Sequence, residues 1–134
     1  MKMTYFCPSC WSDVGTVSVC PNCGADLRDF AGESYEQKLI RALRHPEPTA
    51  PIRAATILGE LGSRAAVEPL MGIATSATDP YIQEAAVEAL GRIGDDRALL
   101  CLDRLRQEGA VRVRAAAERA LKTLGNRRAD ATQR

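Results

Sequence analysis

Residues Ile82–Gly94 read IQEAAVEALGRIG. Ile82, Ala85, Ala86, Ala89, Leu90 and Ile93 fall at i, i+3, i+4, i+7, i+8 and i+11, which is one apolar stripe on an α-helix. Gln83, Glu84, Glu88 and Arg92 lie mostly off that stripe. Asp79-Pro80 precedes it as an N-cap with proline in the first turn, and Gly94 follows as a residue suited to a left-handed helix end. The pattern recurs. Ala54, Ile57, Leu58 and Leu61 precede Gly62, and Val113, Ala116, Ala117, Ala120, Leu121 and Leu124 precede Gly125. The three glycines are 32 and 31 residues apart, a period that predicts a stacked array of helical units.

Outward from this stretch, the same periodicity predicts helices over Ser34–Arg44, Ile52–Leu61, Arg64–Thr75, Ala98–Gln107 and Val111–Leu124. Pro46, Pro48 and Pro51 interrupt the first two, because proline cannot continue a helix. The expected fold is mostly α. It is a short α-solenoid of three helical hairpins at 34–62, 64–94 and 96–125, preceded by a small β module at 1–28 and a linker at 29–33. Residues 126–134 are polar and expected to form a flexible tail.

The N-terminal module carries Cys7-Pro8-Ser9-Cys10 and Cys20-Pro21-Asn22-Cys23, with nine residues between the pairs. Each pair can form a tight turn that aims two thiolates at one ion. Zinc takes four tetrahedral ligands, so Cys7, Cys10, Cys20 and Cys23 would close one structural site and leave no open position for catalysis. A segment this short needs such an ion to fold. The alternatives are a disulfide pair or a redox C-x-x-C, the latter lacking its usual βαβ context. Cys101, the fifth cysteine, reads as a small buried hydrophobe.

Composition sets outer bounds. Aromatics make up 4% of the chain, so alanine and leucine supply most of the apolar surface. The net charge of +1 argues against a nucleic-acid binder that uses its whole surface. The charge is nevertheless uneven: residues 1–32 carry net −1, residues 33–100 net −3 and residues 101–134 net +5. No secretory leader or membrane span is evident, and the paired cysteines fit a cytosolic setting, so the expected location is cytoplasmic with no membrane partner.

Two resemblances sharpen these readings. The C-P-x-C pairs, the second followed by Gly24, resemble the zinc-ribbon family, with Trp11 standing where the first pair would usually be followed by glycine. The run from Asp79 to Leu99, DPYIQEAAVEALGRIGDDRAL, and its echoes at 51–62 and 113–125 resemble HEAT-like repeats of the phycobilisome-lyase type. That resemblance covers about residues 34–125 and departs at Lys122, which replaces the glycine found at 59 and 91. It implies an α-solenoid that presents an extended surface. Arrays of this type also occur in proteins that attach bilins, and related repeats with His-Glu pairs carry di-iron hydroxylation. This chain has one histidine, His45, in a Pro-rich loop, and no His-Glu pair.

The functional expectation is a non-enzymatic adaptor that docks a protein partner and carries one structural Zn²⁺. Arg53, Gln83 and Arg114 each follow a β-branched residue and either grip an acidic partner or brace neighbouring repeats. Trp11 is either a binding hot spot or a cover for the ribbon's small core. Arg104, Arg106, Arg112, Arg114, Arg119, Arg127 and Arg128 form a basic cluster that reads as a solvated surface or, with the ribbon, as a nucleic-acid contact. It lacks the interleaved aromatics that stacking on single strands would need. A bilin-lyase-like accessory role is a second alternative.

Overall fold

The computed structural model describes residues 6–15, 17–30 and 32–132. The chain is a short α-solenoid. Its six α-helices are α1 (Tyr35–Ala42), α2 (Thr49–Leu61), α3 (Val67–Ser76), α4 (Pro80–Ile93), α5 (Leu99–Glu108) and α6 (Val111–Thr132). Single 3-10 turns at Leu27–Phe30, Arg64–Ala66 and Asp96–Ala98 lead into α1, α3 and α5. The helix starts follow local chemistry. Ser34 caps α1 and forms a reciprocal box with Gln37, Asp79 accepts from the Tyr81 amide, and Asp95 accepts from the Arg97 amide. Gly62 and Gly94 end α2 and α4 in the left-handed conformation, at φ +66° and +74°.

The hairpins stack as two layers. α2, α4 and α6 form a close-packed layer, whereas α1, α3 and α5 scarcely touch one another. Missing side chains set the close layer. A Cβ added at Gly59 would stand 3.0 Å from Ala89 Cα, and one added at Gly91 would stand 2.8 Å from Ala120 Cβ. Leu58, Leu70, Leu90, Leu102 and Leu124 are fully buried between the layers. On α4 the buried face includes Val87 and Gly91 beyond the expected stripe, because this middle helix meets α2, α3 and α6 together.

This geometry gives opposite outcomes for one substitution. Alanine ordinarily improves a helix over glycine by about 1 kcal/mol. Gly72→Ala, with nothing within 4 Å of the added Cβ, is expected to realise that gain. Gly91→Ala forces Ala120 backbone aside, and overpacking of this kind costs about 1–3 kcal/mol. Chemical denaturation of the two variants checks the pair; a Gly91→Ala chain as stable as Gly72→Ala would mean that α4 and α6 are not so close.

Three features depart from the sequence expectations. α2 begins at Thr49 and takes Pro51 into its first turn, where the missing N–H would have had no helical partner anyway. α6 runs on to Thr132, through the stretch read as a flexible tail. Gly125 is absent from the left-handed glycines, because α6 continues through it. Arg127 donates to the Arg92 carbonyl at 2.8 Å, and Arg128 pairs with Asp96 at 2.9 Å, so the extension is tied to the preceding repeat. The expected β module contains no strand among the described residues. Two single bridges, Phe6↔Asp13 and Val19↔Asp26, close its turns, because each cysteine loop is too short for a ladder. Among the described residues no helix is long and apolar enough to cross a membrane.

Candidate metal centre

The module is built twice. Cys7 N–H donates to the Ser12 carbonyl and Trp11 N–H to the Cys7 carbonyl, at 2.9 and 2.8 Å. Thirteen positions on, Cys20 N–H donates to the Ala25 carbonyl and Gly24 N–H to the Cys20 carbonyl, both at 2.9 Å. The two knuckles face each other and bring all four sulfurs within 4.8 Å of one another. Cys7 Sγ is 3.6 Å from Cys23 Sγ, and Cys10 Sγ is 3.6 Å from Cys20 Sγ. A tetrahedron of thiolates about 2.3 Å from its centre has edges of about 3.8 Å, so the donor set fits one tetrahedral ion.

Second-sphere groups support the sulfurs. Ser9 N–H points at Cys7 Sγ and Cys23 N–H at Cys20 Sγ, at 3.4 and 3.5 Å. Asn22 Nδ2 lies 3.5 Å from Cys10 Sγ and donates to Ser12 Oγ at 3.0 Å, linking the two knuckles. Contacts from the Ser12 side chain, Asn22 and the Ser12 amide hold the Cys10 thiol down at about 5. Cys23 is pushed up to about 11: the Ala25 amide pulls it down, but desolvation and the three neighbouring thiols prevail. Cys10 therefore gives up its proton before Cys23, and an incoming cation must displace the Cys23 proton. Sequence reasoning found the four ligands from their spacing but missed Ser12 and Asn22, whose roles depend on the two knuckles meeting.

The other candidate residues go to different places. Trp11 lies against His45, with ring centroids 4.5 Å apart. Gln83 braces its hairpin by donating to the Ala74 carbonyl at 3.1 Å. Arg112 pairs with Glu84 at 3.0 Å and stacks 4.7 Å over the Tyr81 ring. Arg53 and Arg114 are exposed, with no ion pair among the described residues. The basic cluster is largely engaged in ion pairs: Arg104 with Glu108, Arg106 with Asp103, Arg119 with Glu84 and Glu88, and Arg128 with Asp96. Its aromatic partner among the described residues, Tyr81, stands a repeat away, which is why the sequence around the cluster looked bare.

The bracing of loop acids falls to Arg97. Its guanidinium forks onto Asp95 at 3.1 and 3.0 Å and also donates to the Arg64 carbonyl at 3.0 Å, joining the third hairpin to the second. The Arg97 side chain, then its amide, hold the Asp95 carboxyl down at about 2, against an ordinary 3.8. A depressed carboxyl stabilises the fold above its unfolded value and loses that contribution as pH falls through the folded one. Stability is thus expected to decline from pH 3.8 to about 2, less steeply in Asp95→Asn. Matching acid-unfolding curves would remove Asp95 from this role.

A second concave feature lies in the open layer. Between α1 and α3 runs a groove of roughly 680 Å³, with Ile40, Leu43, Pro69 and Ile73 among its apolar walls and Arg41, Arg44, Glu33 and Glu68 at its polar ones. It exists because α1 and α3 stand apart while α2 and α4 close up.

Comparison with known proteins places the repeats. The family of HEAT repeats matches residues 36–122. Deoxyhypusine hydroxylase of Gallus gallus is 29% identical over 99 residues, covering 73% of this chain and 33% of that protein. The structure of human deoxyhypusine hydroxylase in complex with glycerol superimposes with a TM-score of 0.66 at 26% identity, covering 71% of this chain and 33% of that one. The chain thus spans about a third of the length of these relatives. The finding supports the coarser family and not the phycobilisome-lyase type. It also overturns the expectation of a chain with no enzymatic function, because both relatives are hydroxylases and the similarity points toward catalysis. By its sequence match and its architecture, the chain belongs to the HEAT-repeat family.

Proposed function

We propose that this chain is a protein-docking module serving an enzymatic reaction, with a structural zinc ion held by Cys7, Cys10, Cys20 and Cys23. The observation that carries the reading is the open groove between α1 and α3, lined by both apolar and charged side chains, which suits an amphipathic segment of a partner protein. The arginines of the last repeat favour a protein over a nucleic acid, since most are committed to acids of the array. The enzymatic context comes from the two relatives, whose names make hydroxylation the reaction class to test first. The reduced thiols that such an ion needs fit the cytosol.

The test is capture from lysate by the zinc-loaded chain, with and without nuclease, beside an Ile73→Glu variant that places a charge in the groove. The reading expects a discrete protein that survives nuclease, is lost with Ile73→Glu, and gains one oxygen atom when incubated with the chain, dioxygen and a two-electron donor, the second oxygen leaving as water. Capture that vanishes with nuclease and with rising salt would give the nucleic-acid reading first place. A partner held equally by Ile73→Glu would move the docking site out of the groove, and a partner without added oxygen would count against hydroxylation.

A further inference from the structure

Trp11 occupies a backbone conformation that bulky L-residues avoid, φ +64°. Its counterpart thirteen positions on is Gly24, at φ +78°. The two residues make the same hydrogen bond, N–H to the carbonyl of the knuckle's first cysteine. The knuckle fold therefore requires a left-handed residue at this point, and glycine would supply it without strain. A tryptophan held there signals a use for its side chain.

Its indole goes to the repeat array. The ring lies 4.5 Å from the His45 ring, tilted by 52°. His45 stands in the link between α1 and α2, and its Nδ1 accepts from the Glu47 amide at 3.0 Å. Glu47 in turn accepts from the amide and hydroxyl of Thr49, the first residue of α2. A second tie runs beside it. The Arg41 guanidinium of α1 sits 4.3 Å over the Phe30 ring and pairs with Glu33, and both Arg41 and Glu33 line the α1–α3 groove. Both ties meet the array at the C-terminal end of α1, at Arg41 in its last turn and at His45 just beyond it.

We infer that metal occupancy of the four-cysteine centre is transmitted to the repeat array through Trp11. The loaded knuckle fixes the left-handed turn after Cys10, the turn aims the indole at His45, and the contact steadies the link between α1 and α2. Without the ion the turn relaxes toward ordinary backbone and the indole leaves His45. This coupling rests on the metal reading of the four cysteines, so its test measures binding and coupling separately.

The full chain, stripped of metal, is titrated with Zn²⁺ alone. Affinity is read by competition with a chromophoric chelator. Coupling is read as the rise in the melting midpoint of the helical signal on loading, together with the fluorescence of Trp11, the chain's one tryptophan. The wild type is expected to bind one ion, shift its emission and melt higher when loaded. Trp11→Gly is expected to bind zinc at least as tightly, because its turn is unstrained, while its array melts at one temperature with or without the ion. Trp11→Ala keeps the strain without the ring and binds roughly tenfold more weakly than Trp11→Gly. His45→Ala binds normally and loses the melting increment. Zinc bound with no change in the wild-type midpoint overturns the coupling alone, as does a full increment in Trp11→Gly. Failure to bind one equivalent overturns the metal reading and the coupling with it.

Discussion

A Cys20→Ser chain is expected to lose the fold of its N-terminal module and keep its helices. Cys20 is buried, lies 3.6 Å from Cys10 Sγ and anchors the second knuckle through two backbone hydrogen bonds. Its removal leaves three sulfur ligands where a structural ion needs four. Structural zinc contributes about 10–16 kcal/mol of apparent binding energy in small modules, and that energy is folding energy. The apolar core of the module, Cys7, Val14 and Cys20 with Cys10, Ala25 and Leu27 against it, is far too small to stand in for it. Limited proteolysis should cleave the variant before Ser34, while circular dichroism stays close to wild type. Loss of most of the helical signal would show instead that the array cannot fold without the module.

The second large effect is expected from Leu90→Ala. Leu90 has no exposed surface, and it sits on the helix flanked by both neighbouring hairpins. A buried leucine cut back to alanine costs about 2–5 kcal/mol, depending on how far the site collapses. Alanines 85, 86 and 89 surround it on the same helix, so little side-chain volume is free to move into the gap. The expected loss is therefore in the upper half of that range, and for a helical domain of this size it lowers the melting midpoint on the order of 10 °C or more. Because each hairpin depends on its neighbours, the transition should stay single and move as a whole. A loss below about 1 kcal/mol would contradict the close packing of α4.

The solenoid was legible because a period near 31 residues repeats both the alanine stripe and its closing glycine, and both are local signals. The four cysteines were legible for the same reason. What escaped the sequence depends on residues a repeat or more apart. Arg112 meets Glu84 at a separation of 28 residues, Arg119 meets Glu88 at 31, and Arg97 reaches Arg64 at 33. Seen along the chain, Arg112 and Arg119 belong to a basic end; folded, all three arginines join one hairpin to the next. The continuation of α6 escaped because Gly125 matches Gly62 and Gly94 in spacing, and only the absence of a following turn sets it apart. The groove has no signature of its own, being the space left where α1 and α3 fail to meet. The similarity to a hydroxylase lies in the repeats, whereas the one histidine and the lack of a His-Glu pair argue against such an activity when the sequence is read alone.

The glycines at 59 and 91 also have a mechanical consequence. Each hairpin works as a wedge in an arch, thin where a glycine admits an alanine and thick on the opposite side. Widening the thin edge by a methyl group would flatten the arch and draw the thick edges together. Bulk added at Gly59, where α2 and α4 meet, would then narrow the groove between α1 and α3 without touching a residue that lines it. The width of that groove is set from the far side of the molecule, by atoms the chain leaves out.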